Sequence, residues 1–426
     1  MRTRLKCRTR SIASVLTLVL TAAIMLHCLS GCDLKRAAGA ADDLMSGIKP
    51  NEVSAEVDLE MYNTEVIDFA VRLFRNCMTT DENVMISPTS VLYALAMTAN
   101  GADGETLAQM EEVLGVPVHE LNAYLHTYKK SLPSDEKCKL SMANSIWFKN
   151  VESFTANNDF LQLVADYYGA SVYKAPFDDR TLKAINSWVK EQTDGMIENI
   201  LDQIPPLVVM YLINAMAFDA EWKEIYKERQ VLPGTFTAHS GAKRDAKMMC
   251  CEEYAYLDDG SATGFVKSYA GGRYAFAALL PNEDIQIDEY ISALSGQRLA
   301  DTLSNAQRIK VNTGIPKFES EHSLLMNDVL ENMGMPDAFD RDRADLTKIG
   351  SSSIGRLYIS RVIHKTFISV DERGTKAGAS TIVEATPSSS PQPEESKTVY
   401  LDRPFVYMII DLETGVPLFI GALLDL

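Results

Sequence analysis

Cysteine is scarce in this sequence, and positive charge is outnumbered. There are seven Cys in 426 residues, and 41 Lys and Arg face 58 Asp and Glu, a net charge of −17. Cys7, Cys28 and Cys32 belong to a leader-like head, which leaves Cys77, Cys138, Cys250 and Cys251. Four thiols make no disulfide framework in a chain long enough to bury a core of its own. None of their spacings is a C-x-x-C metal pair, so all four read as buried or half-buried thiols. The acidic balance disfavours nucleic acid and anionic lipid as partners. Catalytic signatures are missing too: there is no G-x-G-x-x-G, P-loop, H-E-x-x-H or G-x-S-x-G. "GSSSIG" at 350–355 has the wrong spacing for a nucleophile elbow, and Ser187-Trp188-Val189-Lys190 fits only a short S-x-x-K pattern. His119 and His126 would share a helical face, but no third metal ligand accompanies them. There is no repeat of fixed period. The sequence thus proposes no enzyme, no catalytic residue, no metal and no cofactor.

What is present is ordinary globular composition, 46% apolar and 23% charged. The head "MRTRLKCRTR" is basic, and Ser11 to Cys32 carries no Asp, Glu, Lys or Arg. A basic start, an apolar middle and small residues at the end describe a secretory signal. The run is also long enough for an uncleaved membrane helix. Ser, Thr and His interrupt it, however, and Leu29-Ser30-Gly31-Cys32 resembles a bacterial lipobox. That resemblance implies cleavage after Gly31 and acylation of Cys32, so that lipid holds the protein to a membrane surface in the cell envelope, on the periplasmic or cell-surface side. Loss of residues 1–31 removes five basic side chains and no acidic one, taking the net charge from −17 to −22. Residues 32–57 are small and charged without a period, and read as a tether.

The body is expected to span 58–426 as one domain. Val66, Phe69, Ala70, Leu73 and Phe74 recur at helical spacing, which predicts a helix over about 59–78. "NVMISP" reads as a short strand stopped by Pro88, followed by helices through "TSVLYALAMTANG" and "GETLAQMEEVLGV". "LSMANSIWFKN" alternates like a strand, "TLKAINSWVKEQ" is helical, and "VVMYLINAMAFDAEW" is apolar enough for a central strand. Short strands follow from about Phe236 to Leu280, and "FVYMIIDLETGVPLFIGALL" predicts a hairpin turning at Glu413-Thr414-Gly415. Helices first and strands later give an α+β fold, helices packed on large antiparallel sheets.

One stretch resists that pattern: "VDERGTKAGASTIVEATPSSSPQPEESK", 370–397. Between two strand-like segments it loses every large side chain. From Thr375 the alternate positions Thr375, Ala377, Ala379, Thr381, Val383 and Ala385 are uncharged and none is large. Lys376, Gly378, Ser380, Ile382 and Glu384 fall on the other face. A segment that must become a buried strand needs such alternation, whereas a flexible linker tolerates charge everywhere. Gly374 and Gly378 supply backbone freedom.

The segments in order resemble the serpins, the serine-protease-inhibitor fold. "NVMISPTSVLYALAMTANGADGETLAQMEEVLG", "LSMANSIWF", "INSWVKEQTDGMIENIL", "LINAMAFDAEWKEIY", "FAALLPNED", "ADLTKI", "VIHKTFISVDERGTKAGAS" and "DRPFVYMIIDLETGVPLFIGAL" match in register across nearly all of 58–426. The resemblance implies an exposed reactive-centre loop that baits a protease, is cut, and inserts into the main sheet while still carrying the acyl-enzyme. It implies a hinge at Glu372, Gly374, Thr375, Ala377, Ala379 and Thr381, a shutter at Ser87, Pro88, Asn214 and His364, and a breach at Trp222. Counting on from Glu372 at the family's spacing places the reactive bond between Ser388 and Ser389, with Thr386 to Ser390 all open because the tract is long. Lys376 stands where inhibitory members carry Glu. Small residues around the bond imply elastase-like or subtilisin-like targets. The expected partners are a target serine protease and, through Cys32, a membrane; nucleic acid is not one, and the protein is expected to be a monomer. The alternative is a non-inhibitory serpin used as a binding module, with a serine hydrolase more distant.

Overall fold

A computed structural model describes residues 40–54, 57–79, 81–151, 154–352, 355–375 and 396–426. Helices fill the first part. Helix α1 (Asn63–Cys77) buries Val66, Phe69, Ala70, Leu73 and Phe74, the stripe that its spacing predicts. Helix α2 (Pro88–Ala99) starts where Ser87 accepts from the Ser90 N–H and Pro88 occupies the first turn. Every residue of α2 is buried, so it runs through the core and not over it. Helix α3 (Gly104–Leu114) ends at Gly115, whose φ of 78° is the left-handed stop that glycine adopts without strain. Helices α4 (Val118–Ser131), α5 (Asn158–Leu163) and α6 (Asp179–Gln192) follow.

Among the described residues, three large sheets and one small pair organise the strands. The seven-stranded sheet runs, in spatial order, β1 (Asp42–Asp43), β5 (Ser171–Ala175), β3 (Cys138–Lys149), β6 (Met210–Glu221), β16 (Gly374–Thr375), β15 (Arg361–Val370) and β13 (Phe318–Leu325). The six-stranded sheet runs β2 (Val84–Ile86), β19 (Pro417–Leu423), β18 (Phe405–Asp411), β11 (Tyr274–Pro281), β10 (Ala262–Ser268) and β9 (Tyr256–Asp258). The four-stranded sheet runs β17 (Ser396–Tyr400), β12 (Lys310–Pro316), β8 (Lys243–Glu253) and β7 (Val231–Thr237). The small pair is β14 (Gly350–Ser351) with β4 (Thr155–Ala156).

The six-stranded sheet is antiparallel throughout, as the sequence suggested, but the other two large sheets are mixed: β3–β5, β6–β15 and β12–β17 pair in parallel. Strand periodicity reports which residues alternate, not which strand lies alongside, so pairing sense was out of its reach. The C-terminal hairpin is β18 and β19, with Gly415 at φ 72° in its turn.

The stretch expected as a tether over 32–57 is docked along part of its length. Asp42 and Asp43 pair with Lys174 and Tyr173 at the margin of the large sheet, and the Leu44 N–H donates to the Val172 carbonyl at 2.9 Å. Asp166 receives the Asn51 N–H at 2.7 Å. A two-residue strand recruited by an unpaired sheet edge leaves no periodic trace in sequence. Among the described residues, no helix is long and apolar enough to cross a membrane. Cys32 and the leader lie outside them.

Candidate functional site: a parted sheet with its hinge seated

The large sheet parts at one end. Strands β6 and β15 pair in parallel from Tyr211–Arg361 to Met216–Thr366. Beyond that point β16 lies between them, with Gly374 opposite Glu221 and Thr375 opposite both Ala220 and Val370, antiparallel to each neighbour. The turn into β16 is closed by Asp371, whose carboxylate accepts from the N–H groups of Arg373 (2.7 Å) and Gly374 (3.2 Å).

The residues expected as breach and hinge meet here. Trp222, at the end of β6, donates its indole N–H to the Asp371 carbonyl at 2.8 Å and its backbone N–H to the Arg373 carbonyl at 2.7 Å. The Tyr226 N–H holds the Glu372 carbonyl at 2.9 Å. The Glu372 carboxylate pairs with Lys317, which holds its pKa below the usual range. The Trp222 ring stacks on Tyr269 at 4.5 Å and 8°. Thr375 is fully buried, and its hydroxyl lies 2.6 Å from that of Tyr269.

Gly374 has a reason the sequence reading missed. Backbone freedom was expected, yet its φ is not in the left-handed region. A Cβ here would lie 1.9 Å from the Ala220 carbonyl oxygen, so no side chain fits against β6. Ala377, Ala379, Thr381 and the bond Ser388–Ser389 lie outside the described residues.

The expected shutter residues also converge, beneath the parallel part of the ladder. His364 (β15) and Asn214 (β6) are register partners, and both are buried. The Ser87 N–H donates to His364 Nε2 at 2.9 Å, so the ring proton sits on Nδ1, which donates to Asn214 Oδ1 at 2.6 Å. The Asn214 amide then donates to Asn144 Oδ1 at 2.6 Å, to Ser90 Oγ at 2.7 Å and to the Ser90 carbonyl. Burial pushes the His364 pKa down to about 3, so the ring is neutral and the network is held by dipoles alone. Pro88 sets the first turn of α2 and so places Ser87 and Ser90 against the sheet. One cluster thereby ties β3, β6, β15 and α2 together.

Sequence reading did not single out Tyr269, Tyr226, Lys317, Asp371, Ser90 or Asn144. Asn144 sits opposite Asn214 within "LSMANSIWF" and was readable only as part of a strand. Tyr269, in "KSYAGG", follows no pattern.

The family model described as "Serpin (serine protease inhibitor)" matches residues 64–426. An uncharacterized serpin-like protein of Thermococcus kodakarensis is 31% identical over 365 residues, which cover 84% of each chain. The human leukocyte elastase inhibitor is 29% identical, covering 80% of this chain and 92% of its own. The native-state crystal structure of tengpin, a thermophilic serpin, superposes with a TM-score of 0.87 at 50% identity, covering 91% of this chain and all of that one. Against the latent state of the same protein the TM-score is 0.77.

Proposed function

We propose that this chain, which belongs to the serpin family, is a suicide-type inhibitor of serine proteases outside the cell, with the cleaved loop inserted into the large sheet as its trap. The observation that carries the proposal is β16: a first piece of strand already lies between β6 and β15, antiparallel to both. In this reading the target's serine attacks the carbonyl of Ser388, the amine of Ser389 leaves, and the protease is left esterified to the new C-terminus of the loop. The segment after Thr375 then continues β16 and separates β6 from β15. The six register pairs of the parallel ladder from Arg361 to Thr366 are exchanged for two antiparallel ladders, and antiparallel pairing is somewhat the stronger per residue. The His364–Asn214 bond must break as the strands separate. Because a net hydrogen bond contributes only about 0.5–1.5 kcal/mol, this latch is firm enough to hold the closed ladder and weak enough to release it.

Target choice follows the side chains around the bond. No Arg, Lys or aromatic residue lies between Lys376 and Lys397, so a pocket for small side chains fits best. The similarity to leukocyte elastase inhibitors is in keeping with an elastase-like target. The protein acts in the cell envelope, held there by lipid on Cys32.

Incubation of the mature protein with elastase-like, subtilisin-like, trypsin-like and chymotrypsin-like proteases tests the reading. The expected result is an SDS-stable band at the summed mass with one of the first two. Cleavage without a complex across the panel would overturn it in favour of a binding module. For the anchor, Cys32→Ala should move the protein from the membrane to the soluble fraction of an expressing bacterium.

A further inference from the structure

Behind Trp222 lies a cluster that protease inhibition does not call on. Lys267, on β10, is 2% exposed. Its ammonium donates to Glu253 Oε1 on β8 at 2.8 Å and faces the rings of Tyr226 at 4.5 Å and Trp222 at 5.4 Å. It also lies 3.7 Å from the sulfur of Cys251, again on β8. That sulfur has three oxygen neighbours at 3.4 Å: the hydroxyls of Tyr226 and Thr313, and Glu253 Oε1. A nearly buried amine and a half-buried thiol, from two different sheets, are thus held side by side with a carboxylate and two hydroxyls able to relay protons. Burial raises the thiol's pKa, and the Lys267 charge opposes that rise only in part.

We propose that Cys251 and Lys267 form an oxidisable pair, in which dioxygen or peroxide joins Sγ to Nζ through one oxygen atom and so links β8 covalently to β10. The balance closes without any other reactant. Of the three hydrogens on the thiol and the neutral amine, two are given up and one stays on nitrogen, and the pair loses four electrons. Dioxygen supplies the bridging oxygen and leaves as one water; with peroxide, two molecules are consumed and three waters leave. The neutral amine arises by transfer of the Lys267 proton to Glu253. One competing product is disfavoured by the surroundings. Cys250 precedes Cys251 on the same strand and points to the opposite face, so a disulfide between them is not poised to form. A cleft of about 460 Å³ lined by Lys223, Glu253, Tyr254, Val266, Lys267 and Arg308 opens beside the pair.

The inference does not depend on the inhibitory reading, because its test needs no protease. The full soluble chain is reduced with a thiol reagent, freed of it, and treated with hydrogen peroxide. The intact mass should rise by about 14 Da, one oxygen gained and two hydrogens lost, and should return on renewed reduction. Proteolytic mapping of the oxidised wild type should give a peptide joining the Cys251 and Lys267 segments. The joined peptide should be absent from Cys251→Ser and from Lys267→Met. Because the joined peptide is sought in the wild type, the test stands even if a variant does not fold. A gain of about 16 Da on Cys251 that a sulfenic-acid reagent captures, or no change at Cys251, would overturn the proposal.

Discussion

Thr375 sets its hydroxyl 2.6 Å from the phenol of Tyr269, inside a sheet where neither residue is exposed. This position takes its side chain into the core before any cut has been made. Thr375→Arg should therefore act twice: it displaces the seated hinge, and it would bury an unpaired charge on insertion, at a cost of several kcal/mol. The variant should be cleaved as a substrate instead of forming a stable complex. Equal inhibition by variant and wild type, measured as the moles of inhibitor consumed per protease blocked, would remove Thr375 from the inserting strand.

Gly374→Ala tests the close approach to β6. Its Cβ would meet a carbonyl oxygen of the backbone, which has no flexible side chain to give way. The hinge should lift out, and Trp222 should lose the two bonds it makes to the Asp371 and Arg373 carbonyls. A shift in tryptophan emission with a lowered melting temperature is expected. Unchanged emission would mean that the turn, and not the contact with β6, seats the hinge.

The buried His364 network makes stability fall with acid. His364 takes up a proton near pH 6.5 when unfolded, but only near 3 when folded. Its contribution is therefore whole above pH 6.5 and is lost as pH drops through that window, by up to about 1.4 kcal/mol per unit. Between pH 6.5 and 4.5 the wild type should lose about 2–3 kcal/mol more than His364→Gln, which cannot titrate. Urea midpoints at several pH values measure this, and parallel slopes for the two proteins would contradict it.

The reactive bond is checked by mass. The small C-terminal fragment released from a denatured complex should begin at Ser389. A start at Thr398 would mean that Lys397 is recognised, and would transfer the target class to trypsin-like proteases. Once cut, the chain should melt tens of degrees higher, as the resemblance to inhibitory serpins implies; an unchanged melting point in the nicked protein would exclude insertion.

Much of this architecture was legible because periodicity is written into single segments. The α1 stripe and the Gly415 turn are both local devices. The site was less legible because its contacts join segments far apart in the chain. Tyr269 meets Thr375 across 106 positions and Asn214 meets His364 across 150, and no spacing rule reaches that far. His364, Asn214 and Trp222 came from family resemblance. Tyr269 and Asp371 came only from the structure, since a tyrosine beside a turn or an aspartate before one has many ordinary uses.

The docked segment after Ala40 has a bearing on assembly. In the mechanism proposed above the large sheet accepts a new strand, which exposes it to accepting the wrong one, ordinarily at its border. On one border Asp42 and Asp43 already occupy the hydrogen-bonding groups of β5. On the other, β13 turns Glu319 and Glu321 outward, and each is tied back to β15 through Ser369 and Lys365. Both flanks are thereby made poor templates for fibre growth, and in the proposed mechanism widening falls to the middle, where the same polypeptide would supply the incoming strand.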